Sequence, residues 1–447
     1  MPSPVQEAQA LLGKGMAAEA QALARRHLVA APGDTQMHYV AAVASVRLGD
    51  KPAALDHFAR VRDRLLKQGG QVKGFLQLAR DYKRAGAPEE GIPLLERAAA
   101  AASGEASIHA ELADALLNAN RLEEAVTCAA KAVAIAPASA GAWSTLGAAE
   151  HKRGRFDAAL DAYRKARELM PDWRFLDNNI AAASIAAGKP EAAVAAATDW
   201  LAAEPGNAEA LSFLALGLNE AGRLEEARTL LDFDRLVKSY TFDPPPGFGS
   251  TDALNDALEA HVLAHPSLKT PKLTDANYHH PALRISDDLL EGERGPVAAL
   301  EGLMREAVER YGRDTGEPGS HPFLAHRPPS VDIYAWAAVL EGEGNQHAHI
   351  HIDGYLSGCY YVRIPKEISA PGNGADGVIR GGFEVGRPPA EVGCKAEPMT
   401  RAIKPFEGLM VMFPAYLYHQ TIPFESTERR ICIAFDVLPA GRQRAGH

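Results

Sequence analysis

Gln346-His347-Ala348-His349-Ile350-His351-Ile352-Asp353 puts a histidine at every second position and ends on an aspartate. Alternate residues of an extended strand point to one face, so His347, His349, His351 and Asp353 are candidates for one interior. A further histidine, His419, lies 70 residues after His349, and an arginine, Arg430, follows 11 residues later. Two or three nitrogen and oxygen ligands on a rigid β scaffold, with coordination positions left open, suit a non-haem Fe(II) centre. An arginine beside such a centre can meet a carboxylate through two parallel charge-assisted hydrogen bonds, which lysine cannot reproduce.

The elements that must position these residues are short strands. From Ser330 onward the chain is rich in Tyr, Val, Ile and Phe, and the pattern predicts strands at 331–340, 346–352, 355–364, 378–385, 399–404, 408–413, 416–423 and 429–437. So many short strands in one stretch predict a double-stranded β-helix, or jelly roll. Helices are predicted ahead of them at 251–264 and 295–311, the second with Leu300, Leu303, Met304, Ala307 and Val308 along one face.

The first half is different. Gly86, Asn120, Gly154, Gly188 and Gly222 recur every 34 residues, and Pro137, Pro171 and Pro205 keep the same step. Glycine suits the turn inside a helical hairpin and proline the turn between hairpins. Apolar and small residues fill the intervals at helical spacing, as in Trp143, Leu146 and Ala149. A 34-residue period is the tetratricopeptide signature, and stacked helix pairs of this kind build an extended binding surface. The expected organisation is a repeat domain over 1–235, a linker over 236–250 containing Asp243-Pro244-Pro245-Pro246-Gly247, and a jelly-roll domain over 251–447.

Composition narrows the function classes. The 447 residues are 47% hydrophobic and 23% charged, with a formal net charge of −10. That length implies more than one domain. An acidic balance argues against nucleic-acid binding. No apolar run is long enough for a bilayer, and the N-terminus lacks the basic-then-apolar pattern of a signal peptide. Four scattered cysteines, Cys128, Cys359, Cys394 and Cys432, form no CxxC pair. They fit a reducing compartment, so a cytoplasmic location is expected.

Some signals carry little. Gly372 to Gly377 matches G-x-G-x-x-G but sits between strands without a βαβ unit, so a nucleotide site is not expected. His279-His280 reads as surface, and Tyr334 and Trp336 as core.

Two blocks carry a family resemblance. Residues 349–365 read H-x-H-x-x-x-x-L-S-G-x-Y-Y-V-x-x-P. Residues 408–424 read G-L-x-V-x-F-P-A-Y-L-Y-H-Q-T-I-P-F, followed at 428–437 by E-R-R-I-C-I-A-F-D-V. Over about 250–440 the chain resembles the 2-oxoglutarate/Fe(II) oxygenases that occur fused to tetratricopeptide repeats in bacteria. More distantly it is similar to the aspartyl/asparaginyl β-hydroxylases. The resemblance implies Fe(II), 2-oxoglutarate as co-substrate, and O2. Aligned on L-S-G-x-Y-Y, it implies His349, His351 and His419 as the iron ligands, with His351, Asp353 and His419 as the alternative that supplies a carboxylate. It implies Arg430 as the co-substrate arginine, since Arg430 precedes Cys432 in an R-x-C where the superfamily often has R-x-S. The adjacent Arg429 would then face outward. Ser357 and Tyr361 are candidate hydroxyl donors to the same ligand. The expected activity is hydroxylation of a peptide or protein side chain recruited by the repeats. The alternatives are a small-molecule hydroxylase whose repeats serve assembly, and a non-catalytic adaptor. Because the site residues all lie in the second half, a fragment beginning near Phe242 is expected to keep Fe(II) and co-substrate binding.

Overall fold

The structure, a computed structural model, describes residues 2–69, 71–270, 283–342 and 344–442. His279-His280 lies outside the described residues. The chain forms two compact units, 1–179 and 180–447.

The first unit is a run of antiparallel helices, from Pro4–Gly13 and Ala17–Ala30 to Ala140–Lys152 and Phe156–Leu169. The 34-residue step has a backbone cause. Gly86, Gly154, Gly188 and Gly222 all have positive φ between 67° and 78°, and Asn120, at 56°, is the positive-φ non-glycine among the described residues. A left-handed residue is what ends a helix tightly enough for the next to fold back, and asparagine is the side-chain-bearing residue that best tolerates it. Between turns, small residues let helices approach. A Cβ at Gly147 would lie 2.5 Å from the Tyr163 ring, so the pair Ala140–Lys152 and Phe156–Leu169 packs at a distance only glycine permits.

The second unit begins with helices of the same kind, among them Pro190–Ala203, Ala208–Glu220 and Leu224–Leu231. Leu211, Leu218, Leu230 and Leu231 belong to the same apolar core as Met410, Phe413, Tyr416 and Leu417 from the sheets. The Tyr416 hydroxyl donates to the Leu230 carbonyl, and Glu220 Oε1 accepts from the amides of Lys395 and Ala396 at 2.9 and 2.8 Å. Packing therefore divides the chain ahead of the last repeat hairpins. The stretch 236–250, expected as a linker, contains a strand, Lys238–Tyr240, that is part of the sheet.

The strands are β1 (Lys238–Tyr240), β2 (Leu283–Ile285), β3 (Val331–Glu341), β4 (Leu356–Arg363), β5 (Phe383–Val385), β6 (Arg401–Ile403), β7 (Met410–Pro414), β8 (His419–Thr421) and β9 (Arg429–Pro439). They form a six-stranded sheet in the order β1-β7-β4-β9-β3-β2 and a three-stranded sheet in the order β6-β5-β8, every pairing antiparallel. This is a jelly-roll arrangement. Helices Thr251–Ala264 and Val297–Asp314 contribute Leu254, Leu258, Leu300 and Met304 to the core. Residues 346–352 are not a strand. They lie beside β8, with a bend at Ala348 and a turn at Ile352, and share one isolated bridge with it, His349 to His419.

Candidate metal centre

The main chain fixes the first two histidines. The His349 amide donates to the His419 carbonyl at 3.1 Å, and the His419 amide donates back at 3.0 Å. Two residues on, the His351 amide donates to the Ala415 carbonyl at 3.1 Å. Alternation then brings His351 to the side of His349. The ring centroids lie 4.2 Å apart for His349–His419, 5.0 Å for His351–His419 and 5.1 Å for His349–His351. One ring nitrogen from each residue lies within 4.8 Å of the others. Nitrogens bound to one ion at about 2.1 Å sit about 3–4 Å from each other, so modest ring rotation would close the set on a metal.

The outer contacts settle which nitrogen faces the shared space. Nδ1 of His349 lies 2.7 Å from the His347 carbonyl, and Nδ1 of His419 lies 3.2 Å from the Leu417 carbonyl. Nδ1 of His351 lies against Asp436 Oδ1, which also accepts from the Ser357 hydroxyl at 2.8 Å. With each Nδ1–H donated to an oxygen, Nε2 carries the lone pair a metal needs. Burial, with His349 and His351 beside it, pushes the His419 imidazole well below its ordinary pKa, so it stays neutral. Neutral imidazole is the ligating form. Phe413 and Phe383 pack around His419, and Trp336 stacks on His351 at 5.6 Å.

The sequence candidates divide clearly. Asp353 lies outside the histidine group, and its carboxylate accepts from Arg442 at 3.4 Å. His347 lines an adjoining cleft instead of the cluster. Arg430 is 3% exposed on β9 and faces the same small cavity as the three histidines. Its Nη1 meets Cys432 Sγ at 3.7 Å, its guanidinium stands 5.2 Å over the Tyr361 ring, and its Nε has no partner. Among the described residues no carboxylate pairs with it. A buried cation without an anion is costly, so the position suits an incoming carboxylate. Tyr361, also buried and beside the Cys359 thiol, lines the same cavity. Arg429 points the other way, to Glu341 at 2.9 Å. The cavity holds about 30 Å³ of open space, enough for one or two waters. A dicarboxylate therefore needs lining side chains to shift. Gln420 is shared with a cleft of about 710 Å³ lined by His347, Arg387, Pro388 and Glu391. The glycine loop 372–377 carries turns, with no helix after it, and borders a separate cleft.

Sequence reasoning missed Asp436. Its signal was present: along β9, positions 430, 432, 434 and 436 share a face, and a charged residue at an inward position of an apolar strand needs a reason.

Residues 334–436 match the family described as "Putative 2OG-Fe(II) oxygenase", and residues 82–150, 140–173 and 180–244 match tetratricopeptide repeat families. No curated protein is significantly similar to the chain. Among solved structures, MamA is 22% identical over 38% of this chain and 91% of its own, with a TM-score of 0.33. YrrB, described as a tetratricopeptide repeat protein with an unusual peptide-binding site, is 21% identical over 39% and 88%, with a TM-score of 0.33. The C-terminal part of a repeat-containing protein from Cytophaga hutchinsonii is 13% identical over 50% and 90%, with a TM-score of 0.40.

Proposed function

Starting from a chain whose residues 334–436 form a 2OG-Fe(II) oxygenase-family domain behind tetratricopeptide repeats, we propose that it is an Fe(II)- and 2-oxoglutarate-dependent oxygenase that hydroxylates a peptide or protein side chain. The observation that carries this reading is the convergence of His349, His351 and His419 in a cavity that the buried, carboxylate-free Arg430 also lines.

When bound, Fe(II) and 2-oxoglutarate supply O2 activation coupled to decarboxylation of the co-substrate to succinate. His349, His351 and His419 would hold the metal through Nε2 and leave coordination positions open. Arg430 would take the carboxylate of the co-substrate remote from the metal by a two-point hydrogen bond, with the Tyr361 hydroxyl beside it. Ser357 lines the cavity too, but its hydroxyl is already donated to Asp436. Phe383, Phe413 and Trp336 line the cavity with apolar rings, which would limit water around a bound co-substrate.

The cleft at His347 and Gln420, about 710 Å³, offers room for a substrate beside the histidines. Stacked repeats provide extended surfaces suited to holding a peptide or protein partner at a distance. No described helix is long and apolar enough to cross a membrane. All four cysteines are free thiols, which supports a cytoplasmic location.

The test is succinate formation from 2-oxoglutarate with Fe(II), in the wild-type chain and in His419→Ala. Succinate from wild type alone supports the reading. Equal succinate from both, or none from either with candidate peptides present, sinks it.

A further inference from the structure

The three histidines differ in what stands behind them. His349 and His419 give Nδ1–H to neutral backbone carbonyls, whereas His351 gives it to a carboxylate. Asp436 is 1% exposed and faces Ser357 across the β4–β9 pairing, so its position is set by sheet register. The His351 Nδ1–H and the Ser357 hydroxyl converge on one of its oxygens, Oδ1.

A ligand set of three neutral imidazoles differs from two histidines and a carboxylate by one negative charge. Within the described residues, the group able to hold a metal includes no carboxylate. A buried carboxylate one hydrogen bond away returns that charge. It does so through the imidazole, since a ring whose N–H is strongly donated becomes more basic at its other nitrogen. Trp336 stacks on the His351 ring at an interplanar angle of 29°, which holds it in the plane this bond requires.

We propose that Asp436 acts through His351 as the anionic member of a three-histidine iron centre, doing by hydrogen bond what a directly bound carboxylate does in a two-histidine site. This rests on the iron site proposed above. Asp436 is a positioning residue: it does not touch the metal, but fixes the His351 ring and raises its donor strength. The Ser357 hydroxyl moderates it by sharing the same oxygen.

The experiment compares the full-length wild-type chain with Asp436→Asn and Ser357→Ala. It measures Fe(II) affinity, the Co(II) absorption spectrum and the Fe(III)/Fe(II) potential, none of which requires substrate. Asp436→Asn is expected to weaken Fe(II) binding about 10- to 100-fold, keep a Co(II) spectrum reporting the same nitrogen ligands, and raise the potential. Ser357→Ala keeps the carboxylate and removes the hydroxyl that shares Oδ1 with His351, so it should shift the potential downward. Weakened affinity with an unchanged potential in Asp436→Asn would reduce the aspartate to a structural acceptor and overturn the proposal. So would wild-type behaviour of both variants while His419→Ala loses the metal, a result that leaves the iron site standing. If Asp436→Asn does not fold, Ser357→Ala decides alone, and an unshifted potential overturns the proposal. Absence of Fe(II) binding by wild type overturns both site and role.

Discussion

His349 and His419 exchange main-chain hydrogen bonds, each amide donating to the other's carbonyl, and their rings lie 4.2 Å apart. The spacing of the two side chains is thus set by backbone atoms that survive their replacement. His349→Ala and His419→Ala should fold and each lose more than about 100-fold in Fe(II) affinity, beyond the loss typical of an outer-contact change. Asp353→Ala should keep its iron. Metal analysis after desalting checks all three, and loss of iron from Asp353→Ala would return the carboxylate role to that residue.

Arg430→Ala should leave iron bound and weaken 2-oxoglutarate. Losing a charge-assisted two-point contact from a buried site costs on the order of 2–4 kcal/mol, or roughly 30- to 1000-fold in affinity. Arg429→Ala should leave co-substrate affinity unchanged, because its partner is the half-exposed Glu341. Calorimetric titration of the iron-loaded proteins separates them, and a large effect from Arg429→Ala would reverse the assignment.

A fragment starting near Phe242 should be unstable. It discards Leu211, Leu218, Leu230 and Leu231, which share a core with Met410, Phe413, Tyr416 and Leu417. It also removes the acceptor of the buried Tyr416 hydroxyl. Several buried leucines at about 2–5 kcal/mol each exceed the stability of an ordinary domain. A fragment covering 180–447 should fold and bind Fe(II). Thermal melting and metal uptake of the two fragments decide it, and a stable, iron-binding 242–447 fragment would show the hairpins to be dispensable.

Gly147→Ala should lower the melting temperature of the repeats. The added methyl meets the Tyr163 ring at 2.5 Å, an overlap that costs about 1–3 kcal/mol. Gly104→Ala, where a Cβ has open space, is the control. Equal melting of both variants would mean that Tyr163 moves aside freely.

The repeats were legible because a backbone requirement, positive φ, restricts residue choice at the turns, and Asn120 obeyed it as well as the glycines did. Arg430 was singled out by the resemblance, through its R-x-C; alternation added that its neighbour Arg429 faces the other side, and the two do point apart. Residues 346–352 looked like a strand because their histidines alternate, yet the alternation serves the site and the ladder is one bridge long. β1 and β2 were not legible. Each is three residues long at an outer edge of the six-stranded sheet, chosen by a partner far along the chain and not by local propensity. The inward charge of Asp436 was visible along β9, but its tie to His351 depends on how 346–351 settles beside β8 and Ala415, which no local pattern carries.

The shared core of the last hairpins and the sheets bears on how such a protein can change over time. The core that joins the last hairpins to the sheets starts at Val194, so related chains are expected to tolerate change more readily in the helices ahead of residue 180. The hairpins after that point cannot drift in this way, for a substitution there is answered by Tyr416 and Leu417. Variety should therefore accumulate at one end of the array and stasis at the other.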